Sequence, residues 1–188
     1  MIYIVRHGKT DKNKANVLQG RSDQPLNDEG IKEAADAAKK LGGIKFSHVY
    51  SSPLRRARQT AKIIAPNFDP TIDDRLIEMD YGPYEGADLT NPAPELLAFF
   101  ADLVNNPEPF GMESLKSVIL RLGSFIEDIR HLSGDILIST HAIAMKGALE
   151  YLTPGSNGSY WSKYIGNCAI YVADNEDGII SVPHELFI

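Results

Sequence analysis

A chain of 188 residues with 43% hydrophobic and 23% charged side chains can bury a conventional core, and its length suits one domain rather than two. That composition excludes a disordered chain, the single cysteine, Cys168, excludes an internal disulfide framework, and no apolar run approaches the ~18 residues of a membrane-spanning helix. The net charge of −6 argues against nonspecific nucleic-acid binding, which needs a basic stripe, but leaves room for a small anionic substrate in a locally positive pocket. Met1 runs directly into Ile2–Val5 with no basic n-region, so no signal peptide is expected and a cytoplasmic protein is the expectation.

Apolar segments of strand length alternate with helical patterns, which predicts an α/β domain with a mostly parallel sheet covered on both faces. The first strand is Ile2 to Val5. A helix starts at about Asn27, which can cap it, with Asp28 and Glu29 at the positive end of its dipole. Its apolar stripe is Ile31, Ala34, Ala35, Ala38 and Leu41, and Gly42-Gly43 stops it. A second strand spans Phe46 to Tyr50, and a helix from near Pro53 must end before Pro66. A third strand is predicted at Thr71–Ile72, then helices over 94–103 and 113–132. Ile136 to Ile138 reads as a short buried strand, followed by a helix over 142–151, and 168–172 and 179–182 read as closing strands. The Asn- and Pro-rich stretch beginning at Ala87 breaks the alternation, and about 87–115 is expected to be a small cap inserted in one domain spanning 1–188.

The chemistry collects after the buried strands. The first ends in Arg6-His7-Gly8, the second in Ser51-Ser52-Pro53-Leu54-Arg55-Arg56, and the fourth in Ser139-Thr140-His141. In open parallel sheets ligands bind beyond the carboxyl ends of the strands, so these groups can converge in one crevice. Histidines with arginines suit a phosphoryl group, because the guanidinium fork matches paired oxygens and imidazole can act as nucleophile or acid–base.

Those residues carry a resemblance to the histidine phosphatase superfamily, the phosphoglycerate mutase-like fold. Its opening block matches Arg6-His7-Gly8, Thr10, Asn13, Gln19-Gly20 and Pro25-Leu26; its second block matches Ser52 to Ala61; its third matches Glu78 with Gly82 and Glu85-Gly86; its fourth is His141. The resemblance implies a three-layer sandwich, a mostly parallel sheet flanked by helices. It also implies catalysis without a metal or other cofactor. His7 would become a phosphohistidine, Arg6, Arg56 and His141 would hold the phosphoryl oxygens, and Glu78 would be the proton donor. Thr10 and Asn13 match positions that bond the phosphate, Gly8 leaves the approach open, and Gln19-Gly20 match the substrate-facing loop. One position departs from the pattern: Ala142 stands where the family usually has Gly, which is harmless if that residue starts a helix at negative φ. Lys146 stands where many members carry Arg.

The expected function is hydrolysis of a small phosphorylated metabolite, with a phosphoglycerate mutase or a non-catalytic phospho-ligand binder as alternatives; neither a membrane nor nucleic acid is an expected partner, and the oligomeric state is open. The segment from Ala87 to Ser114 holds no Lys or Arg but carries Asp88, Glu95, Asp102, Glu108 and Glu113, a poor clamp for a second anion. Charge alone therefore suggests a neutral, apolar or cationic leaving group. Within the family the compact cap and Tyr84-Glu85-Gly86 resemble the phosphatase branch, similar to alpha-ribazole and broad-specificity small-molecule phosphatases. Outside the motifs, His48, His131 and His184 read as ordinary residues, Arg55 and Arg58 as solvated helix residues, Glu85 as a turn residue, Trp161 as packing, and Cys168 as inert in an apolar strand.

Overall fold

Strand β1 (Ile2–Arg6) lies inside a six-stranded sheet because its alternating side chains are buried on both faces. The computed structural model describes residues 1–186. It pairs β1 in parallel with β4 (Asp135–Thr140), which pairs in parallel with β2 (Phe46–Ser51), which pairs in parallel with the edge strand β3 (Thr71–Ile72). On the other side of β1, β5 (Ile170–Ala173) runs antiparallel and carries the outer strand β8 (His184–Glu185), giving the order β3-β2-β4-β1-β5-β8. The register sets Ile2 beside Ile136 and Arg6 beside Thr140, so the chain leaves β1 and β4 side by side and at the same height.

The alternation sorts the core into two layers. Ile2, Ile4, Ile136 and Ile138 pack with Leu122 and Phe125 of α5 (Leu115–Ile129) and Met145 and Leu149 of α6 (Ala142–Leu152). Tyr3, Val5 and Leu137 face the other way, onto Ala34 and Ala37 of α2 (Asp28–Lys40) and Ala61 and Ile64 of α3 (Arg55–Ile64). This is the expected mixed α/β sandwich, a mostly parallel sheet flanked by helices. Helix α4 (Pro94–Ala101) lies in the stretch expected as a cap, and its Leu96 and Phe99 are wholly buried in the α5/α6 layer.

Helix ends follow local chemistry. Asn27 accepts from Gly30 N at 2.9 Å as the cap of α2, and Ser114 accepts from Ser117 N at 3.1 Å, so α5 starts at Leu115 and stops at Ile129, short of the predicted 113–132. A one-turn helix, α1 (Asp11–Lys14), was not legible from periodicity; Thr10 and Asn13 close it as a capping box. The C-terminal strands need correction. Cys168 has φ of 55°, a left-handed turn residue rather than part of a strand, and its N–H bonds Arg6 O at 3.1 Å, which turns the chain into β5 two residues later. Ile179–Ile180 does not close the sheet but pairs with Asn175–Glu176 in a separate hairpin (β7 with β6). The Asp177-Gly178 turn explains that hairpin, since both residues have the positive φ that such tight connections require.

Candidate active site

The carboxyl ends of β1, β2 and β4 place His7, Ser52 and His141 together. His7 is held by its own loop: its N–H donates to Thr140 O at 2.9 Å and its Nδ1 lies 2.7 Å from Gly8 O. That carbonyl can only accept, so Nδ1 carries the proton and Nε2 keeps its lone pair. Arg56 Nε donates to Nε2 at 3.1 Å, and the His141 ring stands 5.1 Å away, centroid to centroid. Gly8 is required by close packing, because a Cβ there would sit 2.4 Å from Gly30 O. Its N–H donates to Thr60 Oγ1 at 3.0 Å, a contact from α3 made by the threonine of the second motif block.

Arg56 is the largest fully buried side chain among the described residues. Besides His7 it donates to Ser22 O at 2.7 Å and Gly20 O at 2.6 Å, so it joins the 20–22 loop to the imidazole. That loop is fixed from behind by Glu85, which accepts from Gly20 N at 2.9 Å and Arg21 N at 3.1 Å, the turn role its sequence suggested. Gly20 cannot carry a side chain, since a Cβ would approach Tyr81 Cδ2 and Met79 O within 2.8 Å. Thr10 donates through Oγ1 to Gln19 Oε1 at 2.7 Å, and Asn13 Oδ1 accepts from Thr10 N at 3.1 Å. These three predicted phosphate-loop residues hold one another.

His141 is the N-cap of α6, and its Nε2 lies 2.7 Å from Ser52 Oγ. Ala142 starts the helix outside the left-handed region, so the methyl in place of glycine costs no backbone strain. The side chain that caps α6 comes from elsewhere. Glu78 Oε1 accepts from Ala144 N at 2.9 Å and Met79 N at 2.9 Å, and Oε2 accepts from Ile143 N at 3.2 Å. A carboxylate at a helix N-terminus is favoured by the dipole and by otherwise orphaned donors. Glu78 is thereby fixed beside the second histidine.

Among the described residues four buried atoms in and behind the site have no hydrogen-bond partner: Arg6 Nε, Gln19 Nε2, His141 Nδ1 and, behind the 20–22 loop, Glu85 Oε1. The first two are obligate donors and the third becomes one when the ring is protonated, so these three would take an acceptor. Arg6 also donates through Nη1 to Ile165 O. By contrast Arg55 and Arg58 line a different cavity of about 490 Å³ with Asp23, Gln59, Lys62, Asp69 and Pro70.

Comparison with known proteins identifies the family. The model of the histidine phosphatase superfamily (branch 1) matches residues 2–182. The chain belongs to that superfamily. Phosphoserine phosphatase 1 of Hydrogenobacter thermophilus is 29% identical over 183 residues, 94% of this chain and 87% of that one. A phosphoglycerate mutase structure from Thermus thermophilus is 27% identical with a TM-score of 0.76, covering 100% of this chain and 98% of that one. A phosphoserine phosphatase of Entamoeba histolytica, solved with phosphoserine, is 24% identical and shares the fold with a TM-score of 0.81 over 99% of this chain and 94% of that one. The protein is a phosphoric monoester hydrolase of the histidine phosphatase type. No helix among its described residues is long and apolar enough to cross a membrane.

In this histidine phosphatase burial disfavours the charged form of both site histidines. Burial, then the Arg56 and Arg6 charges, pushes His7 well below 6.5, against a smaller opposing effect of Gly8 O. Burial, then Arg56 and His7, does the same to His141. Burial also lowers Arg56 to about 10. Two folded values below the unfolded one mean that the unfolded chain binds protons first, so stability is retained above about pH 6.5 and falls as pH drops toward about 5. Thermal melting between about pH 5 and 8 in low phosphate should therefore show a midpoint that declines on the acid side; a midpoint that climbs with acid would contradict the burial of neutral imidazoles.

Several functional contacts lay beyond sequence reasoning. Asn167 Nδ2 donates to His7 O at 3.0 Å from the far end of the chain. Arg121 of α5 donates to Arg75 O and Ile77 O at 2.7 and 2.6 Å and pairs with Glu113 at 2.8 Å, bracing the segment that delivers Glu78. Neither sits in a motif; only the spare charge of Arg121 on a mostly apolar helix offered a signal.

Proposed function

We propose that this phosphatase hydrolyses a small phosphate monoester through a phosphohistidine on His7, without a metal, and that residues 1–188 work as one domain with about 87–115 as the cap. The observation that carries the reading is the His7 imidazole, with Nδ1 tied to Gly8 O and the Nε2 lone pair facing Arg56 Nε. In the first step Nε2 attacks phosphorus while the bond to the ester oxygen breaks. Protonated Glu78 gives its proton to that oxygen, releasing the alcohol. In the second step the Glu78 carboxylate takes a proton from water, the resulting hydroxide oxygen bonds phosphorus, and the N–P bond breaks to free phosphate and His7.

Arg6, Arg56 and a protonated His141 would hold the phosphoryl oxygens; Arg6 Nε and His141 Nδ1 are otherwise unpartnered. An entering dianion favours that protonation by its charge, offsetting the burial that keeps the ring neutral. Most of the rate gain then comes from positioning and charge stabilisation. Gly8, Thr10, Asn13, Gln19, Gly20 and Ala142 would shape the loop around the phosphate. The relative named as a phosphoserine phosphatase supports a small phosphorylated metabolite as substrate.

Rapid mixing with radiolabelled p-nitrophenyl phosphate, followed by quenching in base, tests the intermediate. The label should be stable to alkali and labile to acid, as for a phosphoramidate, and absent from His7→Ala. Transfer of the label to an added phosphoglycerate rather than water would favour the mutase alternative. Label on a hydroxyl or carboxylate would overturn the His7 mechanism.

A further inference from the structure

Ser52, the residue after β2, is wholly buried, and the proposed chemistry gives it no role. Its place is set by the sheet: Ser51 of β2 lies beside Ser139 of β4, and Ser52 N donates to Ser139 O at 3.0 Å. Two residues beyond Ser139 comes His141, also wholly buried. Strand pairing therefore brings the hydroxyl to the second imidazole, with Oγ 2.7 Å from Nε2.

That contact has a direction. A serine hydroxyl holds one proton and two lone pairs. One lone pair of Ser52 Oγ accepts from Leu54 N at 3.3 Å. Among the described residues the hydroxyl makes one further hydrogen bond, the contact with His141 Nε2, so its proton has that nitrogen as its acceptor. If Nε2 carried the ring proton instead, the hydroxyl proton and the Nδ1 lone pair would both be buried without a partner. With Oγ–H donating to Nε2, the ring proton sits on Nδ1 and only that one group is left unmet.

We infer that Ser52 is a positioning residue acting through His141: it fixes the Nδ1–H tautomer, so that the buried ring offers a donor to the phosphoryl group while still neutral. The inference rests on the phosphatase reading, in which Nδ1 meets a phosphoryl oxygen, and adds the group that aims it. The surroundings of the ring make a neutral donor useful. His141 faces Arg56 of α3, the His7 ring, Arg121 of α5 and Arg6 of β1, with the Glu78 carboxylate at the start of α6. Burial first, then the cations, opposes a charge on the ring, so a pocket that needed the imidazolium to begin binding would lack this donor near neutral pH. When an arriving dianion draws a second proton onto Nε2, the hydroxyl turns and accepts from it, a reversal that a carbonyl or an ammonium cannot make.

Proton–nitrogen correlation spectra of histidine-labelled protein read the tautomer directly, with the His141 signals assigned by their absence from His141→Gln. Near neutral pH and without phosphate, the parent protein should show a protonated Nδ1 and a hydrogen-bonded lone pair on Nε2. Ser52→Ala should lose that preference and give a mixture of tautomers. Calorimetry should find inorganic phosphate bound about 10- to 100-fold more weakly by this variant, the range of a hydrogen bond to a charged group. Ser52→Thr, which keeps the hydroxyl, should restore the tautomer and bring phosphate affinity within about threefold of the parent. A hydroxyl that served only Leu54 N would lower the melting temperature of Ser52→Ala but leave tautomer and phosphate binding unchanged, and that result overturns the inference. So does a parent spectrum with the proton on Nε2, which needs no variant and decides the matter even if a substitution at Ser52 prevents folding. Neither readout involves turnover: absence of the alkali-stable label from the parent would sink the phosphohistidine, while the spectra still decide the tautomer.

Discussion

Replacing His7 with alanine should lower kcat for p-nitrophenyl phosphate by about four orders of magnitude or more, with excess chelator leaving the parent protein's rate unchanged. The size follows from what the side chain does. Its Nε2, which accepts from Arg56 Nε at 3.1 Å, carries the lone pair proposed to attack, so water would have to attack phosphorus directly without it. The remaining donors, Arg6, Arg56 and His141, can still gather a phosphate, which predicts that vanadate binding survives far better than turnover. The substitution also leaves Arg56 Nε without its imidazole partner, but the guanidinium keeps Gly20 O and Ser22 O, so the fold persists. Steady-state assays with chelator, read beside vanadate titration and a melting curve, check all three points. Turnover within about tenfold of the parent would mean that another group carries the phosphoryl, a result no geometry around His7 could absorb.

Local patterns were enough to read the strands that build the site. Ile2–Val5 and Ile136–Ile138 are short apolar runs buried on both faces, and the polar groups that follow them must emerge at the same sheet edge once β1 and β4 pair in register. What periodicity missed depends on contacts across the chain. Glu78 meets Ile143 and Ala144 only after α6 packs beside it, so its role as the cap of that helix has no local trace. Arg121 and Asn167 act on backbone carbonyls, and backbone acceptors are identical in every sequence. The C-terminal errors have a similar origin: Cys168 and Ile179 have strand propensity, yet the bonds of Cys168 to the end of β1 and the Asp177-Gly178 turn override it. Charge was the least legible property. Five acids between Ala87 and Ser114 suggested a surface poor at clamping a second anion, whereas the structure turns them onto local donors.

Glu78→Gln should separate the two chemical steps, because they ask different things of the same carboxyl group. An alkyl phosphate needs a proton on its leaving oxygen, so its turnover should drop about 10²- to 10⁴-fold, the usual range for a lost general acid. p-Nitrophenolate leaves without that help, so phosphorylation of His7 should remain fast with the aryl ester. Hydrolysis of the phosphohistidine still lacks its base, and the variant should therefore give a burst of one p-nitrophenolate per site followed by a slow steady rate. Glutamine also sets an amide N–H₂ against a backbone N–H: if its oxygen keeps Met79 N and Ala144 N, the nitrogen faces Ile143 N at the 3.2 Å now spanned by a hydrogen bond. That mismatch should cost about 1–3 kcal/mol of stability, measurable by denaturant titration and distinct from the kinetic effect. Stopped-flow traces with the aryl ester decide the matter. A burst supports Glu78 as acid in the first step and base in the second, whereas equal losses for alkyl and aryl esters with no burst would reduce it to the cap of α6.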